Sequence, residues 1–368
     1  QVKIGGDAAA LKGIGKALLD LDAVDHAFIA EHTAGFEAFA DDLRAADWAE
    51  IEAASGLTRA DLEEVAQAYA TSKATIVCYG MGITQHRTGV QNVQQIANLL
   101  LMRGNMGRPG AGICPLRGHS NVQGDRTVGI WERPSAAFLD RLGEVFDFAP
   151  PREHGHSVVE SIAAMREGRS KAVVCLGGNL AVASSDPAAC AEAFRNMDLA
   201  VHITTKLNRT HLLLGVQAVT VEDSMSMVHA SRGFLKPPGP NVRSEPWIVA
   251  ELAKATLGAK GGVDWDELVA DYDRIRDKIE AVFPAFADYN ARIRKPGGFH
   301  LTNSAALRQW NTANGRANFL THEGFGEAAA EDADVLRLTT VRAHDQYNTT
   351  IYNLNDRYRG VFGRRDVL

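Results

Sequence analysis

The chain has 368 residues and four cysteines (Cys78, Cys114, Cys175 and Cys190), none of them in a Cys-x-x-Cys pair. That spacing argues against a zinc ribbon or a disulfide framework and leads to the expectation of a reducing, cytoplasmic setting. Apolar runs of membrane-spanning length are missing, as is a charged segment leading into an apolar one at the N-terminus. Basic residues are not in excess: 39 Lys and Arg stand against 45 Asp and Glu, for a net charge of −6. Nucleic acid and anionic membrane are therefore not expected as main partners. There is no Gly-x-Ser-x-Gly elbow, and Asp223 to Met227 offers only hydroxyls, so a serine hydrolase is unsupported. Glu153-His154-Gly155-His156 has no evident third ligand and follows Pro150-Pro151, which fits a surface loop. Internal repeats and low-complexity tracts are also lacking. The first residue is Gln1, not methionine, and the chain is expected to be part of a longer protein.

With 45% hydrophobic and 23% charged residues, the composition is that of a globular protein long enough for two or more domains. Residues 7–70 read as helical, with Leu11, Ile14, Leu18 and Leu21 at helical spacing and Thr58 to Asp61 resembling a capping box. Ala74 to Tyr79 is a β-branched run suited to a buried strand, and Gly80-Met81-Gly82 follows at once. A helical pattern through Val90, Val93, Ile96 and Leu100 then ends among Gly104, Gly107, Pro109 and Gly110. The order repeats further on: strand Lys171–Leu176, turn Gly177-Gly178-Asn179, helix Pro187–Asn196 entered through Ser185-Asp186, strand Leu199–Thr204. Strand, turn, helix, strand is a βαβ unit and predicts a parallel sheet. Further on, 236–240 reads as a loop, 246–257 and 265–282 as helices, and 334–341 as a strand opening a β-rich unit.

Ligands of open parallel sheets sit beyond the carboxyl ends of the strands, where glycine lets the backbone approach and a helix N-terminus favours phosphate. Either glycine turn alone is as well explained by turn geometry. Two of them, each followed by polar residues, favour a large ligand with several phosphates. Thr204 to His211, with Lys206 and Arg209, would suit a diphosphate or ribose, or is simply a solvated strand end. The densest polar cluster is Gly112 to Asp125, "GICPLRGHSNVQGD". Arg117 could offer a guanidinium fork to an oxyanion and His119 could relay protons, but a structural arginine fits the composition equally. The basic end, Arg357 to Arg365, reads as a solvated strand or turn.

Four stretches, in order, resemble the molybdopterin oxidoreductases: "YGMGITQH" at 79–86, "LLLMRGNMGRPGAGICPLRGHSNVQG" at 99–124, "TANGRANF" at 312–319 and "TTVRAHDQYNTTIY" at 339–352. Within that family the likeness is greatest to formate-dehydrogenase-like alpha subunits. The resemblance implies an α/β fold: two Rossmann-like parallel-sheet domains contributed in part, a small mixed domain, and the start of a C-terminal β-rich capping domain. The expected boundaries are 1–120 and 121–215 for the second halves of the two α/β domains. Residues 216–330 would pack near a cluster-bearing domain, and 331–368 would open the cap.

It also implies molybdenum held by two molybdopterin guanine dinucleotides and a [4Fe-4S] cluster, with metal and cluster ligands lying outside these residues. Gly80, Met81, Gly82 and Gln85 match the family's turn near a pterin, and Gly177, Gly178 and Asn179 its turn near a guanine dinucleotide. Thr205 and Lys206 match the next strand end; Thr340, Arg342, His344, Gln346 and Tyr347 match the start of the cap. Arg117 matches the arginine that orients a small anion such as formate, with His119 beside it as a proton relay. Formate dehydrogenases usually read Arg-Gly-Gln-Asn-Asn where this chain reads Arg117-Gly118-His119-Ser120-Asn121, which leaves the anion's identity open. The implied reaction is a two-electron oxidation or reduction, with electrons leaving through the cluster to a redox partner. The alternatives are a non-catalytic or different-substrate homologue, and an α/β enzyme with another diphosphate cofactor such as thiamine diphosphate.

Overall fold

The computed structural model describes residues 1–119, 121–178, 180–184, 186–203, 218–232, 243–258 and 262–326, together with Asn355, Gly360, Phe362 and Gly363. Two compact units share the chain. One comprises Gln1–Gly124, Val221–His229 and Gly298–Leu336, the other Asp125–Thr220, Ala230–Gly297 and Arg337–Leu368.

The first unit opens with helices, as their apolar spacing predicts: α1 (Asp7–Asp20), α2 (His26–His32), α3 (Phe36–Ala45), α4 (Trp48–Ser55) and α5 (Arg59–Thr71), with the two-residue strand β1 (Thr33–Ala34) between α2 and α3. Polar caps set several of the starts. The Asp25 side chain accepts from the Phe28 amide, Asp47 from those of Ala49 and Glu50, and Thr58 and Asp61 close the capping box at α5. Strand β2 (Ile76–Tyr79), helix α6 (Gly89–Met102), strand β3 (Gly112–Pro115) and the short helix α7 (Val122–Thr127) follow.

The helices enclose a core that includes Leu18, Phe39, Leu43 and Met102, all nearly inaccessible to solvent. Burying each such side chain stabilises the unit by about 1.5–3 kcal/mol before entropy is counted. Within that core Phe319 stacks on Phe39 at 5.1 Å between ring centroids. The stretch 312–319 thus closes the first unit. Strand β9 (Ala317–Asn318) lies parallel to β1 in the register Thr33↔Ala317, and the Arg316 guanidinium donates to the carbonyls of Ala30 and Thr33.

The second unit contains α8 (Ala136–Phe146), α9 (Val158–Arg166), β4 (Ala172–Leu176), α10 (Leu180–Ala183), α11 (Pro187–Arg195) and β5 (Leu199–Ile203). Strands β4 and β5 pair in parallel, from Ala172↔Leu199 to Leu176↔Ile203, as the βαβ reading requires. Asp186 caps α11 by accepting from the Ala189 amide. Strands β6 (Ala218–Glu222) and β7 (Met227–Arg232) follow in sequence, and their residues 221–222 and 227–229 belong to the first unit. Helices α12 (Glu245–Leu257), α13 (Trp265–Ala270), α14 (Tyr272–Val282) and α15 (Tyr289–Ile293) complete the second unit. The expected helix over 265–282 is broken at Asp271, whose extended backbone and side-chain bond to the Asp273 amide start a new helix. Strand β8 (Phe299–His300) pairs antiparallel with β7 in the register Val228↔Phe299.

The parallel sheets, the small antiparallel pairing and the packed helices agree with the expected α/β class. No helix among the described residues is long and apolar enough to cross a membrane. The expected strand at 334–341, the loop at 236–240 and the basic end from 357 to 365 lie outside the described residues, Gly360, Phe362 and Gly363 apart.

Candidate functional site

Strands β2 and β3 are parallel neighbours in register, Ile76↔Gly112 through Tyr79↔Pro115. Their carboxyl ends therefore emerge side by side. From one comes Gly80-Met81-Gly82, from the other Leu116-Arg117-Gly118-His119. The Leu116 amide donates to the Tyr79 carbonyl at 2.7 Å, holding the two exits together for one residue more.

Met81–Ile83 forms a single tight helical turn that fixes the glycine exit. The Gln85 amide donates back to the Met81 carbonyl at 3.0 Å, and Asn92, buried on α6, donates its amide to the Ile83 carbonyl at 3.0 Å. Met81 and Gln85 are exposed.

What the glycines themselves require is informative. Gly80 has φ −113°, which any residue adopts. A Cβ built on Gly80, Gly82 or Gly118 would meet nothing within 4 Å among the described residues. Neither backbone conformation nor described neighbours explain glycine at Gly80, and a ligand brought close to the backbone would. Gly177 and Gly178 differ. Each also faces open space, but their φ values of +63° and +67° favour glycine on conformational grounds alone. The Gly177 amide donates to the Ile203 carbonyl at 2.9 Å, tying that turn to the end of β5.

Arg117 is exposed, and its Nη2 donates to Gln123 Oε1 at 2.9 Å. That bond aligns the guanidinium. Asn121 holds the turn between them with φ +63°, a conformation that asparagine tolerates better than most residues. Its Oδ1 accepts from the Glu222 amide at 2.9 Å, pinning the loop to the end of β6. A Cβ on the buried Gly124 would come within 2.1 Å of Asn121 Oδ1, so glycine is needed there for packing. His119 is exposed on the same loop.

Next to Glu222, Asp223 accepts from His229 at 2.9 Å and from the Met225 and Met227 amides. Burial works to raise its carboxyl, but these hydrogen bonds outweigh it and hold Asp223 below the usual carboxylate range.

Of the residues expected at the site, Gly80, Met81, Gly82 and Gln85 are brought beside Arg117 and His119, all within the first unit. Gly177 and Gly178 occupy the corresponding strand end of the second unit. Asn179, Thr205, Lys206, Thr340, Arg342, His344, Gln346 and Tyr347 lie outside the described residues. Reading the sequence missed three positioning groups: Gln123, Asn121 and Asn92. Gln123 and Asn121 stood in the polar loop, but nothing in their spacing indicated which neighbour each would hold. No group of three or more His, Cys, Asp or Glu suited to a metal ion occurs among the described residues.

Within the first unit, the open glycine turn and the neighbouring arginine loop offer donors to a phosphate-bearing ligand. Those donors are backbone amides and a guanidinium at strand ends.

Comparison with known proteins agrees with this geometry. The family model described as molybdopterin oxidoreductase matches residues 25–213. Protein YdeP of Escherichia coli K12 is 53% identical over 399 residues, covering 100% of this chain and 52% of YdeP. The Bacillus subtilis protein YrhE, whose name proposes a formate dehydrogenase, is 31% identical over 220 residues, or 56% of this chain and 22% of YrhE. Acetylene hydratase from Pelobacter acetylenicus superposes with a TM-score of 0.52 at 15% identity, over 70% of this chain and 40% of that one, and so shares its fold. The chain spans about half the length of the first curated relatives it matches. With the family model covering just over half of its residues, the chain belongs to the molybdopterin oxidoreductase family.

Proposed function

We propose that this chain is part of a molybdenum oxidoreductase of the formate-dehydrogenase-like kind, acting on a small anion and holding its metal through two molybdopterin guanine dinucleotides. The observation that carries the proposal is the pairing of β2 with β3, which sets an open glycine turn and an aligned arginine at one strand end. Gly80, Met81, Gly82 and Gln85 would receive one pterin; Gly177 and Gly178, with Asn179, Thr205 and Lys206, would receive the other dinucleotide. Thr340, Arg342, His344, Gln346 and Tyr347 would close over both from a capping domain.

When bound, the molybdenum pterin supplies the two-electron chemistry, and a [4Fe-4S] cluster held by residues outside these supplies the electron exit to a partner. The chain's own contribution is orientation and charge. Arg117, steadied by Gln123, holds the anion through paired N–H groups and so fixes which of its bonds faces the reacting centre. His119 moves a proton at the same loop. In this reading 1–120 and 121–215 each complete an α/β domain begun elsewhere in the protein, 216–330 packs near the cluster-bearing domain, and 331–368 opens the cap.

The test is the molybdenum, tungsten and iron content of the natively purified full-length protein, by elemental mass spectrometry. About one molybdenum and about four irons per chain are expected, as one [4Fe-4S] cluster requires. A protein with neither molybdenum nor tungsten would overturn the proposal.

A further inference from the structure

The register of β2 and β3 pairs Cys78 with Cys114. Paired residues on adjacent parallel strands project to one face, and the strands run about 4.8 Å apart. Disulfides form when the Cα atoms lie about 4.4–6.8 Å apart, so the backbone already satisfies that condition. Both cysteines are free thiols. Their environments are unequal: Cys78 is exposed, while Cys114 is 8% exposed. Burial, with the Cys78 sulfur and the Asp223 carboxylate nearby, pushes the Cys114 thiol up. Cys114 is thus kept as a neutral thiol out of reach of reagents, next to a thiol that reagents can reach.

We propose that Cys78 and Cys114 form a reversible thiol–disulfide site, oxidised by low-molecular-weight disulfides. The exposed Cys78 thiolate attacks one sulfur of the reagent, forming a mixed disulfide and releasing one thiolate. Cys114 then gives up its proton, and its thiolate attacks the Cys78 sulfur and releases the second thiolate. Two protein thiols are oxidised, one external disulfide is reduced to two thiols, and the two protons pass to those products. The bond ties β2 to β3 two residues before Gly80 and three before Arg117, across the two strand ends that carry the candidate site. Formation of the bond does not depend on the identity of the substrate or cofactor.

The other two cysteines provide an internal control. Cys175 is on β4 and Cys190 is buried on α11, with its sulfur donating to the Leu180 carbonyl at 3.5 Å. Cys175 pairs in register with His202, not with a cysteine, and both are expected to stay reduced.

The test treats natively purified full-length protein with oxidised glutathione, alkylates remaining thiols, and maps peptides without reduction. A Cys78–Cys114 cross-linked peptide, lost again on adding dithiothreitol, is the expected result. Cys114→Ser should leave glutathione stably attached at Cys78, and Cys78→Ser should leave Cys114 free. Recovery of both cysteines as alkylated thiols in the wild-type protein would overturn the proposal, as would glutathione retained on Cys78 without cross-linking. The wild-type map is decisive even where a variant fails to fold.

Discussion

Alanine at Gly80 and alanine at Gly177 should act through different physics. At Gly80 the φ of −113° accepts an L side chain, and a Cβ there touches nothing within 4 Å. Folding of the metal-free protein should therefore be unharmed, or strengthened by about 0.4–1 kcal/mol through a less flexible unfolded chain. Any penalty should fall on the ligand. Losing one backbone hydrogen bond to a charged group costs about 1.5–3 kcal/mol, or about 10- to 150-fold in binding. At Gly177 the φ is +63°, and forcing an alanine into that region costs roughly 1–2 kcal/mol whether or not a ligand is bound. Urea unfolding of metal-free full-length protein, alongside molybdenum content after loading, separates the two cases. Gly80→Ala should match wild type in urea and lose molybdenum; Gly177→Ala should already be weakened in urea. Equal shifts in urea for both variants, or full molybdenum in Gly80→Ala, would refute the reasoning.

Arg117→Ala should raise KM for the anion about 10- to 150-fold, from the same charged hydrogen-bond range, while molybdenum content stays near wild type. Loss of metal instead would mean that the arginine is structural. Tyr69 donates to the Leu99 carbonyl at 2.8 Å and accepts from Asn105, and burial pushes its pKa up to about 12 from an ordinary 10.0. Its contribution to stability is complete below the unfolded-state value and is lost as pH rises from there through the folded one. Tyr69→Phe should cost about 1 kcal/mol at neutral pH and flatten that alkaline decline, read by unfolding at several pH values. Lys12 is 4% exposed and pairs with Asp42 at 3.0 Å, so Asp42→Ala should cost about 3 kcal/mol by leaving a buried charge uncompensated, with Lys12→Met in addition restoring much of it in a double-mutant cycle. Strands β4 and β5 form a two-stranded sheet with Val174, Leu176 and Leu199 each roughly half exposed, so residues 1–368 expressed alone should not unfold cooperatively. A sharp calorimetric transition for that fragment would contradict the domain assembly proposed above.

Local chemistry made the helices and the two strand–turn pairs legible. The capping box at Thr58, the β-branched run before Gly80 and the Asp186 cap each involve neighbours a few residues apart, and each is where the residues placed it. Pairings between distant segments were not readable in that way. Nothing local in 312–319 tells that Ala317 pairs with Thr33, or that Arg316 donates to the carbonyls around it. The same holds for Cys78 and Cys114, which mean little until strand register is known. Helix α6 misleads in another way. Asn92, Gln95 and Asn98 look like a solvated face, yet all three are buried. Asn98 exchanges two hydrogen bonds with the backbone of Leu320, a substitute for water that only tertiary structure can supply. At the candidate site, family likeness singled out Arg117, but the groups that hold its loop emerged only from geometry.

The anchoring of that loop has a consequence in time. Asn121 Oδ1 is held by an amide 101 residues further along the chain, and Asn98 by a backbone segment 222 residues further. Contacts of such long range form late and slow the folding of any unit that depends on them. A chain emerging from the ribosome would expose the arginine loop well before the strand that pins it, with the whole β4–β5 unit synthesised in between. The loop acquires its final shape only after residue 222 is out, so a group lodged against it must arrive after that segment is made, not during its synthesis.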